Sequence, residues 1–347
     1  MRIVLLDVRV PFATGGTGAT AAGLEDALRA HGHEVDTVTV PFRWHPPELV
    51  LDHMLASRLL NIEEANGAAI DLAIGLTFPA YLIPHPNKVL WVTRQFRQAY
   101  DLVGTAFDEL RAYPLGSQVC DAVRQADQAC FRGARRTFAA TRSAADRIRG
   151  FCGVDAESLY HPPPHAERFY GGEYRSYLYV PGRARALERQ GLALEALARA
   201  GEETRVVFSG IEENAPELVR LKDLAARLGV DGRVTWRGRV SEEEKRALYA
   251  NCRAVLFPAR DEDCGQVTLE AMLSGKAVVT CRDSGGAEEF VTDGETGFVT
   301  DPDPGVLADA LDRLRDPGTA ERMGRAGQEA VRELDLTWSR VVERLLG

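Results

Sequence analysis

Lysine is scarce in this chain of 347 residues: Lys88, Lys222, Lys245 and Lys276 are the whole set, and arginine supplies the remaining positive charge. The formal net charge of −9 leaves no clustered surplus of cations for a phosphate backbone, which argues against nucleic acid as a main partner. The six cysteines, at 120, 130, 152, 252, 264 and 281, form no CxxC and share no metal-ligand spacing with the seven histidines. Free thiols in a reducing compartment are therefore expected, with no bound metal. Long apolar runs are missing too. The best candidate, 68–84, is broken by Asp71 and by prolines, well short of a membrane span. The N-terminal MRIVLLDVRV has a short apolar core interrupted by Asp7 and no small-residue cleavage site, so it reads as a first strand, not a signal peptide. These absences together predict a cytoplasmic protein.

What is present fits a soluble globular enzyme. Hydrophobic residues make up 45% and charged residues 27%, and the length allows two domains with cores of their own. Arg2–Val8 is a buried strand, followed by the glycine-rich ATGGTG at 13–18, a helix stopping at His31–Gly32, and a strand over Glu34–Val40. This is the start of a doubly wound sheet. Further strands are predicted over Leu72–Leu76, Val89–Val92 and Thr137–Ala140. The HPPPH run at 161–165 is a stiff linker, because three prolines neither continue a helix nor pair in a central strand.

After the linker the rhythm restarts. Strands are expected over Tyr177–Val180, Val206–Ser209, Val234–Trp236, Ala254–Phe257 and Ala277–Cys281, with helices over Leu192–Ala200 and Pro216–Leu228. Ser241 and Glu244 form a capping box for the next helix. The tail from Pro304 reads as helical, with Thr337 capping the last helix. The domain boundaries predicted are 1–163, 164–330 and a C-terminal helix, 331–347, returning to the first domain.

Four motifs carry candidate chemistry. The first is Asp261–Met272, DEDCGQVTLEAM, where Glu262 and Glu270 bracket seven residues including Gly265. A strand, a glycine turn and a helix from Gln266 would leave the N–H groups of Gly265, Gln266 and Val267 at a helix N-terminus, a natural anion site. A ligand hydroxyl-rich at one end and anionic at the other, such as a nucleotide sugar, suits that arrangement. Asp261-Glu262-Asp263 also matches the metal-binding DxD pattern, ranked here below a metal-free site. The second motif is Gly16-Thr17-Gly18-Ala19-Thr20-Ala21, a GxGxxA fingerprint. Arg9–Thr14 separate it from its strand, and the second strand ends Thr39-Val40-Pro41 without the acidic residue of a nicotinamide enzyme. Gly15 and Gly16 suit close backbone approach to a phosphate or substrate, the alternative being a plain turn. Third, Arg183 and Arg189 near a strand end are candidates to clamp a diphosphate; the alternative is solvated surface arginines. Fourth, six arginines between Arg132 and Arg149 offer either a membrane-docking surface or an ordinary solvated helix face. Gly275-Lys276 is not a phosphate loop, since Glu270 holds its first glycine position.

The run from Glu262 through Glu270, Ala271-Met272, Gly275, Val278-Val279, Gly285-Gly286, Glu289, Asp293-Gly294 and Thr296-Gly297 resembles glycosyltransferase family 4. So do the Gly15-Gly16 loop, Gly32-His33-Glu34-Val35, the Val234…Gly238…Ser241 segment and Thr337-Trp338. The resemblance implies an α/β GT-B fold: two Rossmann-like domains with parallel sheets facing across a cleft. It further implies a retaining, metal-independent transferase moving a sugar from a nucleotide-diphosphate donor, UDP-sugar favoured, to a small-molecule, glycan or lipid-linked acceptor. No resident cofactor is implied. By position Glu262 would bind sugar hydroxyls, Glu270 the ribose, the amides of Gly265, Gln266 and Val267 the donor's sugar and diphosphate, and Arg183 the diphosphate.

Three positions depart from the family pattern. Arg189 beside Gln190 stands where a lysine is usual, Cys264 replaces the phenylalanine before the glycine, and Arg94 takes the place of a histidine near the reacting sugar. Arg94, Arg97 and Tyr100 are the acceptor-side candidates. Two other readings remain: a nucleotide-sugar-binding protein without catalysis, and an NAD(P)-dependent oxidoreductase.

Overall fold

The structure, a computed structural model, describes residues 1–10, 16–43, 45–183, 185–210 and 216–347. It divides into two compact units, Met1–Pro164 with Thr337–Gly347, and His165–Leu336.

The first unit runs β1 (Arg2–Arg9), α1 (Gly16–Ala30), β2 (Glu34–Pro41), α2 (Glu48–Leu59), a small hairpin β3 (Glu64–Ala65) and β4 (Ala68–Ala69), β5 (Leu72–Thr77), β6 (Lys88–Arg94), α3 (Gly116–Gly133), β7 (Arg136–Ala139), α4 (Arg142–Cys152) and β8 (Glu157–Ser158). The main sheet has the order β2-β1-β5-β6-β7-β8, parallel throughout. Parallel strands covered on both faces read as unbroken apolar runs. That is why β5, LAIGLT, is buried along its whole length.

The second unit repeats the scheme with β9 (Tyr177–Pro181), α5 (Gln190–Arg199), β10 (Arg205–Ser209), α6 (Pro216–Arg227), β11 (Val234–Trp236), α7 (Glu242–Asn251), β12 (Ala254–Leu256), α8 (Gln266–Leu273), β13 (Val278–Cys281), β14 (Gly297–Thr300), α9 (Pro304–Arg313) and α10 (Pro317–Glu333). Its sheet order is β11-β10-β9-β12-β13-β14, again parallel. Helix α11 (Trp338–Leu346) closes the chain.

Sequence signals account for several boundaries. Ser241 and Glu244 form the reciprocal capping box that opens α7, and Thr337 accepts from the Arg340 amide to cap α11. Val341, Val342 and Leu345 of α11 join Ile3, Leu5, Leu24 and Leu28 in one apolar cluster. The Trp338 ring lies over Gly23, where any Cβ would collide with it. Trp338 also stacks on His161, which meets Trp91 edge-on. Burial drives His161 down to a pKa of about 4, so the first histidine of HPPPH is a neutral core residue. The short strand β14 is not marked by the sequence pattern; its Gly297 passes so close to the Val278 carbonyl that a side chain would not fit.

Candidate functional site

After β12 the chain leaves the second sheet and doubles against the segment following β13. The Asp261 amide donates to Asp283 O at 2.7 Å, Glu262 N to Ser284 O at 2.9 Å, and Gly286 N returns to Glu262 O at 2.8 Å. Two glycines make this pairing fit. Gly285 sits at φ +59 with Asp261 against its α-carbon. Gly265 sits at φ +68, where a Cβ would strike the Gly286 carbonyl and the Phe290 ring. A left-handed backbone and a close approach at the same residue leave glycine as the fitting choice.

Gly265 is the residue that caps α8, and here one expectation is corrected. The Glu262 carboxylate folds back to accept N–H donations from Cys264 at 2.8 Å and from Gly265. The Gly265 amide therefore serves Glu262 and does not face a ligand. The first-turn amides of Gln266 and Val267 keep the geometry of a helix N-terminus, with no earlier carbonyl of α8 to bond.

Glu270, one turn further on, is nearly fully buried. Its carboxylate accepts from Lys245 Nζ at 2.9 Å, and Lys245 also reaches Glu242 at 3.0 Å. Burial pushes the Glu270 carboxyl above its usual range, with Lys245 pulling the other way. For Lys245, burial is outweighed by the two carboxylates, so the ammonium is held above its ordinary value. Tyr249 faces Glu270 without a hydrogen bond of good geometry. Lys245 was missed in the sequence. Its signal was the capping box, which puts residue 245 one turn inside α7, on the helix that packs against α8.

The end of β9 supplies the next part. Arg183 is half-buried two residues beyond the strand. Arg189, at φ +51, has another task. Its guanidinium grips both Asp283 oxygens at 3.0 and 2.6 Å and the carbonyls of Pro258 and Ala259 at 2.7 and 3.1 Å. That corrects its assignment as a second diphosphate clamp: Arg189 fastens the 183–190 segment to the 258–262 turn. The backbone adds a second tie, Arg260 N to Leu187 O at 2.8 Å.

Between Arg183 and Glu262 stands Glu188, also missed. Burial first, then the Glu262 charge, push its carboxyl up to about 7, while Arg183 and Arg185 pull down. Gly182, at φ +129, leaves the room for it. Gln190, the next residue, donates through Nε2 to the Arg183 carbonyl at 2.7 Å, and among the described residues its buried Oε1 has no partner. Arg183, Glu188, Arg189, Gln190 and Glu262 are thus drawn together, with Gln266 and Val267 opening the adjacent helix. Lys276 is fully buried, donating to Glu173 O at 2.7 Å over the Tyr174 ring, and takes no part.

The acceptor-side candidates separate. Arg94 ends β6 and is exposed. Arg97 folds its guanidinium onto Asp101 at 2.6 Å and is largely buried. Tyr100 is a core residue: its hydroxyl donates to buried Asp127 at 2.7 Å beside that of Tyr81 at 2.9 Å. This removes Tyr100 from the acceptor wall, because its one polar atom points into the protein. Asp127 in turn is raised to about 7 by burial, against the pull of both tyrosines. Gly15 lies outside the described residues, and Gly16 opens α1.

Of the six arginines of 132–149, Arg132 and Arg142 are exposed and the other four are tied to the protein. Arg135 and Arg136 bond carbonyls of α11, Arg147 is buried against Gln95, and Arg149 pairs with Asp146 and Asp155. Among the described residues no helix is long and apolar enough to cross a membrane.

Residues 172–330 match the family model described as glycosyl transferases group 1. All the side chains gathered above fall inside that span. Among curated proteins, alpha-1,3/1,6-mannosyltransferase ALG2 of Dictyostelium discoideum is 33% identical over 126 residues, 36% of this chain and 30% of that protein. A D-inositol 3-phosphate glycosyltransferase of Streptomyces bingchenggensis is 31% identical over 219 residues, 55% of this chain and 48% of that protein. The chain thus spans less than half the length of these relatives. Among solved structures, sucrose-phosphate synthase of Thermosynechococcus elongatus superposes with a TM-score of 0.78 at 17% identity, covering 99% of this chain and 97% of that one. Anabaena Alr3699/HepE, solved with UDP, gives 0.71 at 17% identity, covering 100% and 99%. The fold is GT-B, with two Rossmann-like parallel-sheet units.

Proposed function

We propose that the protein is a retaining glycosyltransferase of family 4. It takes a nucleotide-diphosphate sugar, UDP-sugar favoured, and transfers the sugar to a hydroxyl or similar nucleophile without a metal or resident cofactor. The observation that carries this reading is the second unit's cluster. Glu262 and Glu270 flank the Gly265 turn, the charges of Glu262 and Arg183 both act on Glu188, and all lie within the span matching glycosyl transferases group 1. The relatives are named as sugar transferases, and the HepE structure was solved with UDP. In the cytoplasm, the six cysteines of this chain would stay as the free thiols they are in the structure.

In this reading Glu270 holds ribose hydroxyls and Glu262 the sugar, while Arg183 and the α8 amides of Gln266 and Val267 face the diphosphate. The acceptor oxygen bonds to the anomeric carbon from the face the phosphate leaves. The carbon–oxygen bond breaks with its electrons on the phosphate oxygen, which takes the acceptor's proton. Rate enhancement comes from stabilising that developing charge. Arg189 contributes by position, fixing the two segments that carry Arg183 and Glu262.

A thermal-shift screen of UDP, GDP, ADP and dTDP identifies the donor base, since binding to the folded state raises its stability. Nucleotide release from the matching sugar donors, with a panel of acceptors, tests the activity. Stabilisation by one nucleotide and acceptor-dependent release are expected; NAD(P)H binding in place of any nucleotide diphosphate would revive the oxidoreductase. A second reading, a binding protein without catalysis, is favoured by Arg189, whose guanidinium is spent on Asp283. Acceptor-dependent release excludes it.

A further inference from the structure

The first sheet carries a carboxylate that none of the chemistry above uses. Asp7 lies near the end of β1, on the same face as Ile3 and Leu5. It is 3% exposed, and among the described residues no group bonds its Oδ1. Burial holds the carboxyl above its ordinary range, against the pull of the Thr77 hydroxyl, the Val8 amide and the Arg94 guanidinium. A buried oxygen left without a donor loses its hydration with nothing in return, which destabilises the fold. Apolar residues fill the preceding positions of that face, and a leucine or valine at residue 7 would continue them.

The placement is specific. β1 has β2 on one side and β5 on the other, and all later strands of the sheet continue from β5. The order therefore reverses between β1 and β5, and in open α/β sheets ligands bind outside the carboxyl ends of the strands at that point. At those ends stand Thr77 of β5, in register with Arg94 of β6, and Thr93, whose hydroxyl lies 3.4 Å from that of Thr77. One carboxylate, two hydroxyls and an exposed guanidinium thus meet at one edge of the sheet.

We propose that Asp7 is the acceptor-binding carboxylate of the first unit. Its Oδ1 accepts a hydrogen bond from a hydroxyl of a sugar or cyclic polyol, and Arg94 pairs with a negative substituent on the same molecule. The inference rests on the transferase reading, because it assigns the second substrate of that reaction. It supplies an acceptor-side group where Arg97 and Tyr100 are committed elsewhere.

The test is binding of a panel of free hexoses and cyclic polyols, with and without a phosphate, to the full chain by saturation-transfer NMR. Members of the panel are expected to bind the wild type. Asp7→Asn is expected to weaken binding at least tenfold, about 1.4 kcal/mol, while UDP affinity and Tm hold or Tm rises. Arg94→Ala, an exposed change, is expected to weaken only the phosphorylated members. In transfer assays Asp7→Asn raises the acceptor KM and leaves the donor KM unchanged. Binding that survives in Asp7→Asn overturns the proposal, as does a panel with no ligand for the wild type. A fall in Tm with ligand affinity intact assigns Asp7 a purely structural role. If polyols bind through Asp7 while no nucleotide diphosphate binds, the transferase reading fails and the Asp7 site stands.

Discussion

The carboxyl ends of the two sheets make an instructive pair. Both sheets are parallel and doubly wound, but their charged groups are in different states. In the second unit most carry their partners: Glu262 on the 264–265 amides, Glu270 on Lys245, Arg189 on Asp283. In the first unit Asp7 Oδ1 has none among the described residues, and Arg94 stands exposed at the strand end. The second unit has fixed its dipoles before any ligand arrives, which is what electrostatic stabilisation of a leaving phosphate requires. The first unit depends on its ligand for completion.

The largest expected effect breaks the second unit's chemistry. Arg183→Ala should lower turnover about 100-fold, the scale for losing one donor aimed at developing charge, with the calorimetric donor Kd changed only a few-fold. Equal losses in both would make Arg183 a ground-state contact instead.

Preorganisation there can be broken through stability. Lys245→Met strands the Glu270 carboxylate and should cost about 3 kcal/mol, lowering Tm by about 6–12 °C. The double variant Lys245→Met/Glu270→Leu should recover most of it, because two buried charges replaced by apolar groups is often near neutral. A Tm unaffected by Lys245→Met would show that the pair is solvated.

The contrast within the first unit, between satisfied Asp127 and unsatisfied Asp7, is sharpened by Tyr100→Phe. Asp127 keeps one of its two tyrosine donors, so a loss of about 1–3 kcal/mol is expected in denaturant unfolding, with acceptor KM unchanged. A raised KM would return Tyr100 to the acceptor wall.

The smallest effect concerns Glu188. Its folded-state pKa, raised to about 7, lies above that of an unfolded glutamate. Its contribution to stability is full below the unfolded value and is lost as pH rises through about 7. The same ionisation sets a negative charge beside Arg183, so donor affinity should fall a few-fold between pH 6 and 8. Glu188→Gln should flatten that profile; an unchanged slope would place the titration elsewhere.

Much of this was legible from residues alone. Alternating apolar runs and glycine stops marked most strands and helices, and the spacing from Glu262 to Glu270 marked the turn with its glycine. Partner choice was not legible. Nothing local to Arg189 shows that Asp283, 94 residues away, takes its guanidinium, nor that Tyr100 turns inward to Asp127. Asp7 was read only as an interruption of an apolar run. Its meaning depends on which strands lie beside it, and sheet order is a long-range property.

The most direct test of the central claim is the anomeric configuration of the transfer product, read from its anomeric proton coupling by NMR. The account predicts the configuration of the donor, α from α. A product of inverted configuration would contradict it.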